Sequence, residues 1–152
     1  MYPFRKFKEF IKKFFLIGDT PHKIAAGAAL GIFLGIIPGE GVITTLIFAS
    51  LFRFNRLAAT AGVLASNMWA TVLILPLAAA TGGFLFHTNT QELIRNFHAT
   101  YHLGLKYFLS KIIFLDLVLP LAIGFIFVAG AIALAFYFLL YYLLKYQKIR
   151  FK

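Results

Sequence analysis

The stretch IAAGAALGIFLGIIPGEGVITTLIFASLF, residues 24–52, decides the fold. It is almost wholly apolar, yet Pro38-Gly39-Glu40-Gly41 breaks it at its centre. Proline removes a backbone donor and clashes with the preceding turn. It also biases Ile37 toward extended geometry. Gly39 and Gly41 admit backbone angles that other residues avoid, so the three together can reverse the chain. The arm Ile24–Ile37 would rise roughly 21 Å and the arm Gly41–Phe52 roughly 18 Å. Each falls short of a hydrocarbon core of roughly 30 Å. The preferred expectation is a re-entrant helical hairpin with a polar apex, buried in protein or lining a wet cavity. One bent crossing with a proline kink is the alternative.

The first arm carries Gly27, Gly31 and Gly35 at four-residue spacing. Such a strip lets another helix backbone approach closely, which offsets its low helix propensity. The partner can be the second arm, a later helix or another copy of the chain.

Composition agrees with an integral membrane class. Hydrophobic residues make up 61% and aromatics 18%, and the mean hydropathy is +0.86. The chain has no cysteine, which excludes disulfide frameworks and thiolate chemistry. Its formal charge of +10 would suggest nucleic acid in a soluble domain. Here the bases flank apolar runs, so anionic lipid headgroups are the expected partner and nucleic acid is not. No small-residue cleavage site follows a short apolar core near the start, so no cleavable signal is expected.

Residues 1–18 place Phe4, Phe7, Ile11, Phe14 and Phe15 near helical spacing among Arg5, Lys6, Lys8, Lys12 and Lys13. That pattern predicts a basic amphipathic helix in the membrane interface, or one docked on a partner protein. Thr20 is suited to cap the next helix with Pro21 in its first turn. His22 reads as a solvated interface residue rather than a ligand.

After the hairpin, Arg53 and Arg56 form a basic connector that belongs on the cytoplasmic side. A chain that returns to its face of entry satisfies that rule, and a full crossing before Arg53 does not. Leu57–Phe86 is an apolar run interrupted by Ser66-Asn67 and Pro76. It reads as one tilted or kinked crossing, with a second half-hairpin at Asn67 as the alternative. In a dry setting Asn67 can bond the open backbone at the Pro38 apex or contact a solute.

Residues 87–111 carry a stripe of Leu93, Ile94, Phe97, Tyr101, Leu105 and Phe108, which predicts an interfacial amphipathic segment. His98 and His102 are four apart, but with Glu92 they make no complete ligand set, so no metal and no cofactor is expected. Residues 112–144 read as a transmembrane helix from about Pro120. Tyr137, Tyr141 and Tyr142 form an aromatic belt, and the basic tail 145–152 anchors the end in the cytoplasm. Both termini are then cytoplasmic. The fold class is all-α integral membrane: a re-entrant hairpin plus about two transmembrane helices, with amphipathic interfacial helices.

Several of these motifs, in this order, resemble the bacterial membrane family called domain of unknown function 2062. They are Thr20-Pro21, Ile24-Ala25, the glycine strip, Pro38 with Gly41, Thr44-Thr45, Arg53-x-Asn55 and Asn67-x-x-x-Thr71. The resemblance covers residues 19–86, and the family typically has Asn-Pro where this chain has Asn67-Met68. It implies a bacterial inner-membrane protein, and no activity.

Glu40 is the outstanding ionisable residue. A charge at mid-membrane costs about 2.5–3.5 kcal/mol, so Glu40 must be paired, hydrated or protonated. It can cap the second arm or serve as a proton- or cation-responsive group in a solute path. Thr44 and Thr45 line the same cavity or bond their own backbone. The candidate polar site is Pro38, Gly39, Glu40, Gly41, Thr44, Thr45, Asn67 and Thr71. No paired carboxylates, nucleophile elbow or phosphate loop is visible, so an enzyme is not expected. The chain is read as a non-enzymatic membrane protein, oligomeric or partnered, that handles a small solute, ion or lipid. An accessory subunit scaffolding an envelope enzyme through the glycine strip is the alternative.

Overall fold

The computed structural model describes residues 19–39, 41–100 and 114–149. The segments 1–18, 101–113 and 150–152, and Glu40, lie outside the described residues. Among the described residues five α-helices follow one another: α1 (Pro21–Ile36), α2 (Val42–Leu51), α3 (Arg56–Phe86), α4 (Thr90–Thr100) and α5 (Leu119–Ile149). A π-helical turn, Phe114–Val118, leads into α5. There is no strand among the described residues.

Local chemistry sets the first break. The Thr20 side chain accepts from Lys23 N at 3.3 Å, and Pro21 opens the helix without wasting a donor. At the other end Ile37 is extended (φ −71, ψ 126), as a residue before proline prefers to be. Gly39 then takes φ 88, a left-handed angle that suits glycine. Helix α2 starts afresh at Gly41.

The chain reverses across this break and comes back to where α1 began. Asn55 fixes the return. Its backbone N–H donates to Lys23 O at 3.1 Å, and its side-chain amide donates to Asp19 at 2.7 Å. Its carbonyl Oδ1 accepts from Ala58 N at 2.8 Å and so caps α3. Lys23 lies 3.7 Å from the same Asp19 carboxylate. One asparagine thus latches the end of the hairpin to its start and launches the next helix.

From there α3 runs alongside α1 in the same sense. Gly27 lies against the Asn55 carbonyl, Gly31 against Ala59 and Val63, and Gly35 against Val63 and Ser66. Gly62 answers from α3, lying against the Ala28 carbonyl. The partner of the glycine strip is therefore the later helix. A Cβ at Gly31 would collide with the Ala59 carbonyl oxygen and sit 2.8 Å from Val63 N.

Asn67 breaks α3 with φ 21 and ψ −163. Beyond it, Gly82 lies against Pro120 and Gly124 against Ala78, so this half runs antiparallel to α5. Helix α5 is antiparallel to α1 as well: Tyr137 meets His22, while Gly130 shares a groove with Phe33. The two halves of α3 consequently run in the same general sense. The break is a kink, not a second reversal.

Ile36, Ala70, Leu75, Ala78, Leu93, Leu117, Leu121 and Phe125 form the buried core where α1, α3, α4 and α5 meet. Two helical stretches, Trp69–Phe86 and Leu115–Tyr146, are long and apolar enough to cross a membrane. Many large side chains on the helices point outward, among them Ile43, Leu73, Phe127 and the 82% exposed Phe84.

Candidate functional site

Two backbone breaks face one cavity. The first wall is the end of α1 and its turn: Gly35, Ile37, Pro38 and Gly39. The second is the kinked part of α3: Asn67, Thr71, Val72 and Leu75. Helix α4 closes the third side with Phe97 and His98. The cavity is partly open and its volume is 440 Å³, within the range of small-molecule pockets.

A single side chain ties the two breaks together. Thr71 Oγ1 donates to Ile36 O at 2.9 Å, across 35 positions of sequence and away from solvent. Ile36 is the last residue of α1, so its carbonyl lacks an intrahelical partner. Thr71 supplies the missing donor and holds the kink against the helix end. The sequence reading offered this role to Asn67, but Asn67 does not fill it: among the described residues its amide makes no hydrogen bond, and it is exposed. Its positive φ, with ψ at −163, takes the chain out of helical geometry and costs about 1–3 kcal/mol.

Gly35 makes the approach possible. A Cβ there would meet the Ser66 hydroxyl and lie 3.2 Å from Asn67 N. Ser66 itself donates to Gly62 O at 2.8 Å, satisfying its hydroxyl within α3.

Of the expected site residues, Pro38, Gly39, Asn67 and Thr71 come together at the cavity. Gly41, Thr44 and Thr45 do not line it. Thr45 is 0% exposed, and its Oγ1 donates to Gly41 O at 3.0 Å, one turn back in its own helix. Thr44 is half-buried. Glu40 lies outside the described residues, as does His102. Val72, Leu75, Phe97 and His98 were not singled out as cavity residues. The apolar stripe through Leu93, Ile94 and Phe97 signalled a packed face of α4, but periodicity alone does not say what it packs on.

Among the described residues no three His, Asp or Glu side chains converge as a metal site. No described charged side chain lines the cavity. Among the described residues its polar side chains are the Asn67 amide, the Thr71 hydroxyl and the His98 ring, set in apolar walls. Such a set offers hydrogen bonds in a few fixed directions, the usual composition of a small-molecule pocket.

Residues 4–152 match the family described as "uncharacterized protein conserved in bacteria", domain of unknown function 2062. The chain belongs to that family. Membership extends well beyond residues 19–86, where the motifs lie, to essentially the whole chain. Neither a search of curated proteins nor one of solved structures finds a match.

Proposed function

We propose that the chain is a non-enzymatic multi-pass protein of the bacterial inner membrane that handles a small solute at the Pro38–Asn67 cavity. In this reading α1 and α2 form a re-entrant hairpin, α3 and α5 cross the bilayer, and both termini are cytoplasmic. The outward-facing apolar side chains and the two long apolar helices support insertion. The short rise of α1 and α2, roughly 24 and 15 Å, and the return of Asn55 to Lys23 support re-entry.

One observation carries the solute reading: two broken helices direct non-helical backbone into the same cavity. Membrane transporters place their sites where helices are interrupted, because unwound backbone offers free polar groups at depth. The cavity's amide, hydroxyl and imidazole favour a small, largely apolar solute bearing one or two hydrogen-bonding groups. A bare cation would ask for a fuller cage of oxygen ligands. Glu40, next to Gly39 in sequence, is the residue proposed to couple solute entry to a proton or cation.

Flux into proteoliposomes tests the reading with a panel of small amphipathic solutes. Asn67→Ala removes the free amide, Phe97→Trp fills the cavity, and Glu40→Gln removes the acid. Loss of flux in the first two variants is the expected result. Unchanged flux in both removes the cavity from the function.

A further inference from the structure

We propose that a second site, the groove between α1 and α5, holds one acyl chain of an anionic phospholipid with its headgroup at the His22–Tyr137 end. The proposal rests on the membrane reading above but not on the solute cavity. The groove is open along its length and offers about 440 Å³. Its floor is made of small residues, Ala26, Ala29, Gly130 and Ala133. From His22 to Phe33 it follows α1 for roughly 16 Å, a length suited to an extended hydrocarbon chain.

Gly130 is the first sign that something from outside the chain lies here. Glycine is unfavourable inside a helix relative to alanine, and elsewhere the fold gives a reason for it. Gly27, Gly31, Gly35, Gly62, Gly82 and Gly124 all let a neighbouring backbone or hydroxyl approach. Among the described residues, a Cβ at Gly130 would meet nothing within 4 Å. The space that its absence opens is the groove itself.

The groove's mouth supplies the second sign. The Tyr137 hydroxyl and His22 Nδ1 are hydrogen-bonded at 2.8 Å. Tyr141 stacks on Tyr137 with ring centroids 5.9 Å apart, and Lys145 Nζ lies 5.7 Å from the Tyr141 centroid. A column of polar-tipped rings therefore leads from the apolar groove to a cation. Arg53 and Arg56 flank the Phe54-Asn55 connector, with Phe54 itself lining the groove. The described acid at this end is Asp19, already engaged by Asn55 and Lys23. An apolar channel that opens onto surplus positive charge matches a lipid with an acyl tail and an anionic head.

The test uses the full chain in nanodiscs containing phosphatidylglycerol and phosphatidylcholine in equal parts. After extraction into mild detergent, retained lipid is read by native mass spectrometry. The wild type is expected to keep phosphatidylglycerol in preference to phosphatidylcholine. Gly130→Leu fills the groove without touching its own fold. Filling the seat of the acyl chain is expected to cause loss of the retained phosphatidylglycerol. Gly130→Ala leaves room and is expected to retain lipid. Arg53→Asn with Arg56→Gln is expected to lower the phosphatidylglycerol preference by about fivefold per charge. Undiminished retention in Gly130→Leu overturns the proposal, as does equal retention of the two lipids by the wild type. If Gly130→Leu instead converts a dimer to a monomer at constant lipid, the groove belongs to a second copy. A chain that fails to enter nanodiscs at all overturns the membrane reading along with the groove; one that enters but shows no flux overturns only the solute cavity.

Discussion

The same substitution, glycine to alanine, is expected to act with opposite sign at two helical positions. At Gly31 a new Cβ collides with the Ala59 carbonyl oxygen and lies 2.8 Å from Val63 N and 2.9 Å from Ala59 C. All three atoms are backbone, so none can swing aside. Ordinary contact begins near 3.4 Å, and α1 and α3 must part to restore it. Overpacking of this kind costs about 1–3 kcal/mol. The parting also weakens dispersion along the whole strip, since a gap of 0.5–1 Å forfeits about a quarter to a half of each contact. Against this stands a gain of about 0.8–1 kcal/mol in helix propensity, which leaves a net loss of up to about 2 kcal/mol. At Gly130 there is no collision, and only the propensity gain of about 1 kcal/mol remains. In a chain of this size each kcal/mol moves the melting temperature by about 2–4 °C. Gly31→Ala should therefore melt up to about 8 °C below the wild type and Gly130→Ala roughly 2–4 °C above it. Intrinsic fluorescence of Trp69 during heating in detergent reads both. Shifts of the same sign would mean that α1 and α3 do not touch through the strip.

Other perturbations probe the latch, the strain and the topology. Asn55→Ala removes the α3 cap and the partner of the partly buried Asp19 carboxylate, a loss of about 2–3 kcal/mol; an unchanged melting temperature would deny the latch. Asn67→Gly relieves the positive-φ backbone and should stabilise the fold by about 1 kcal/mol or more. By removing the amide it should also abolish solute flux, and a variant both more stable and fully active would separate Asn67 from function. Cysteines introduced at Arg53 and His87 are expected to react with impermeant maleimide from opposite faces of the membrane. Labelling of both from one face would place α3 outside the bilayer or lying along it. The chain has no native cysteine to confuse that result.

What was readable in the sequence was stereochemistry confined to a few neighbours. Thr20 and Pro21 marked the start of α1, and Pro38 with Gly39 marked its end, because caps and breaks depend on residues one to three positions away. The glycine strip was readable as a contact surface but not as a contact with α3. That assignment depends on Asn55 returning to Lys23, a hydrogen bond across 32 positions. A matching signal did exist: Ala58, Ala59, Gly62 and Ser66 repeat small residues at helical spacing opposite the strip. Asn67 was readable as an interruption, whereas kink and reversal could be told apart only through the antiparallel contacts of α5. The apex bond fell to Thr71 instead of Asn67 because one helical turn past the kink brings a β-branched hydroxyl, not the amide, against the Ile36 carbonyl. The cavity itself was only half legible. Two of its walls follow from the breaks, but the third is α4, whose place above Pro38 is a matter of tertiary packing.

The Asn55 latch bears on the order in which the molecule is made. Its bonds reach Asp19, Lys23 and Ala58, so nothing downstream of the opening turn of α3 is needed to close it. A ribosome adding about 5–20 residues per second needs roughly 5–18 s more to complete α5. During that wait the first two helices can already be clasped at their base, offering the insertion machinery a folded wedge instead of a loose thread.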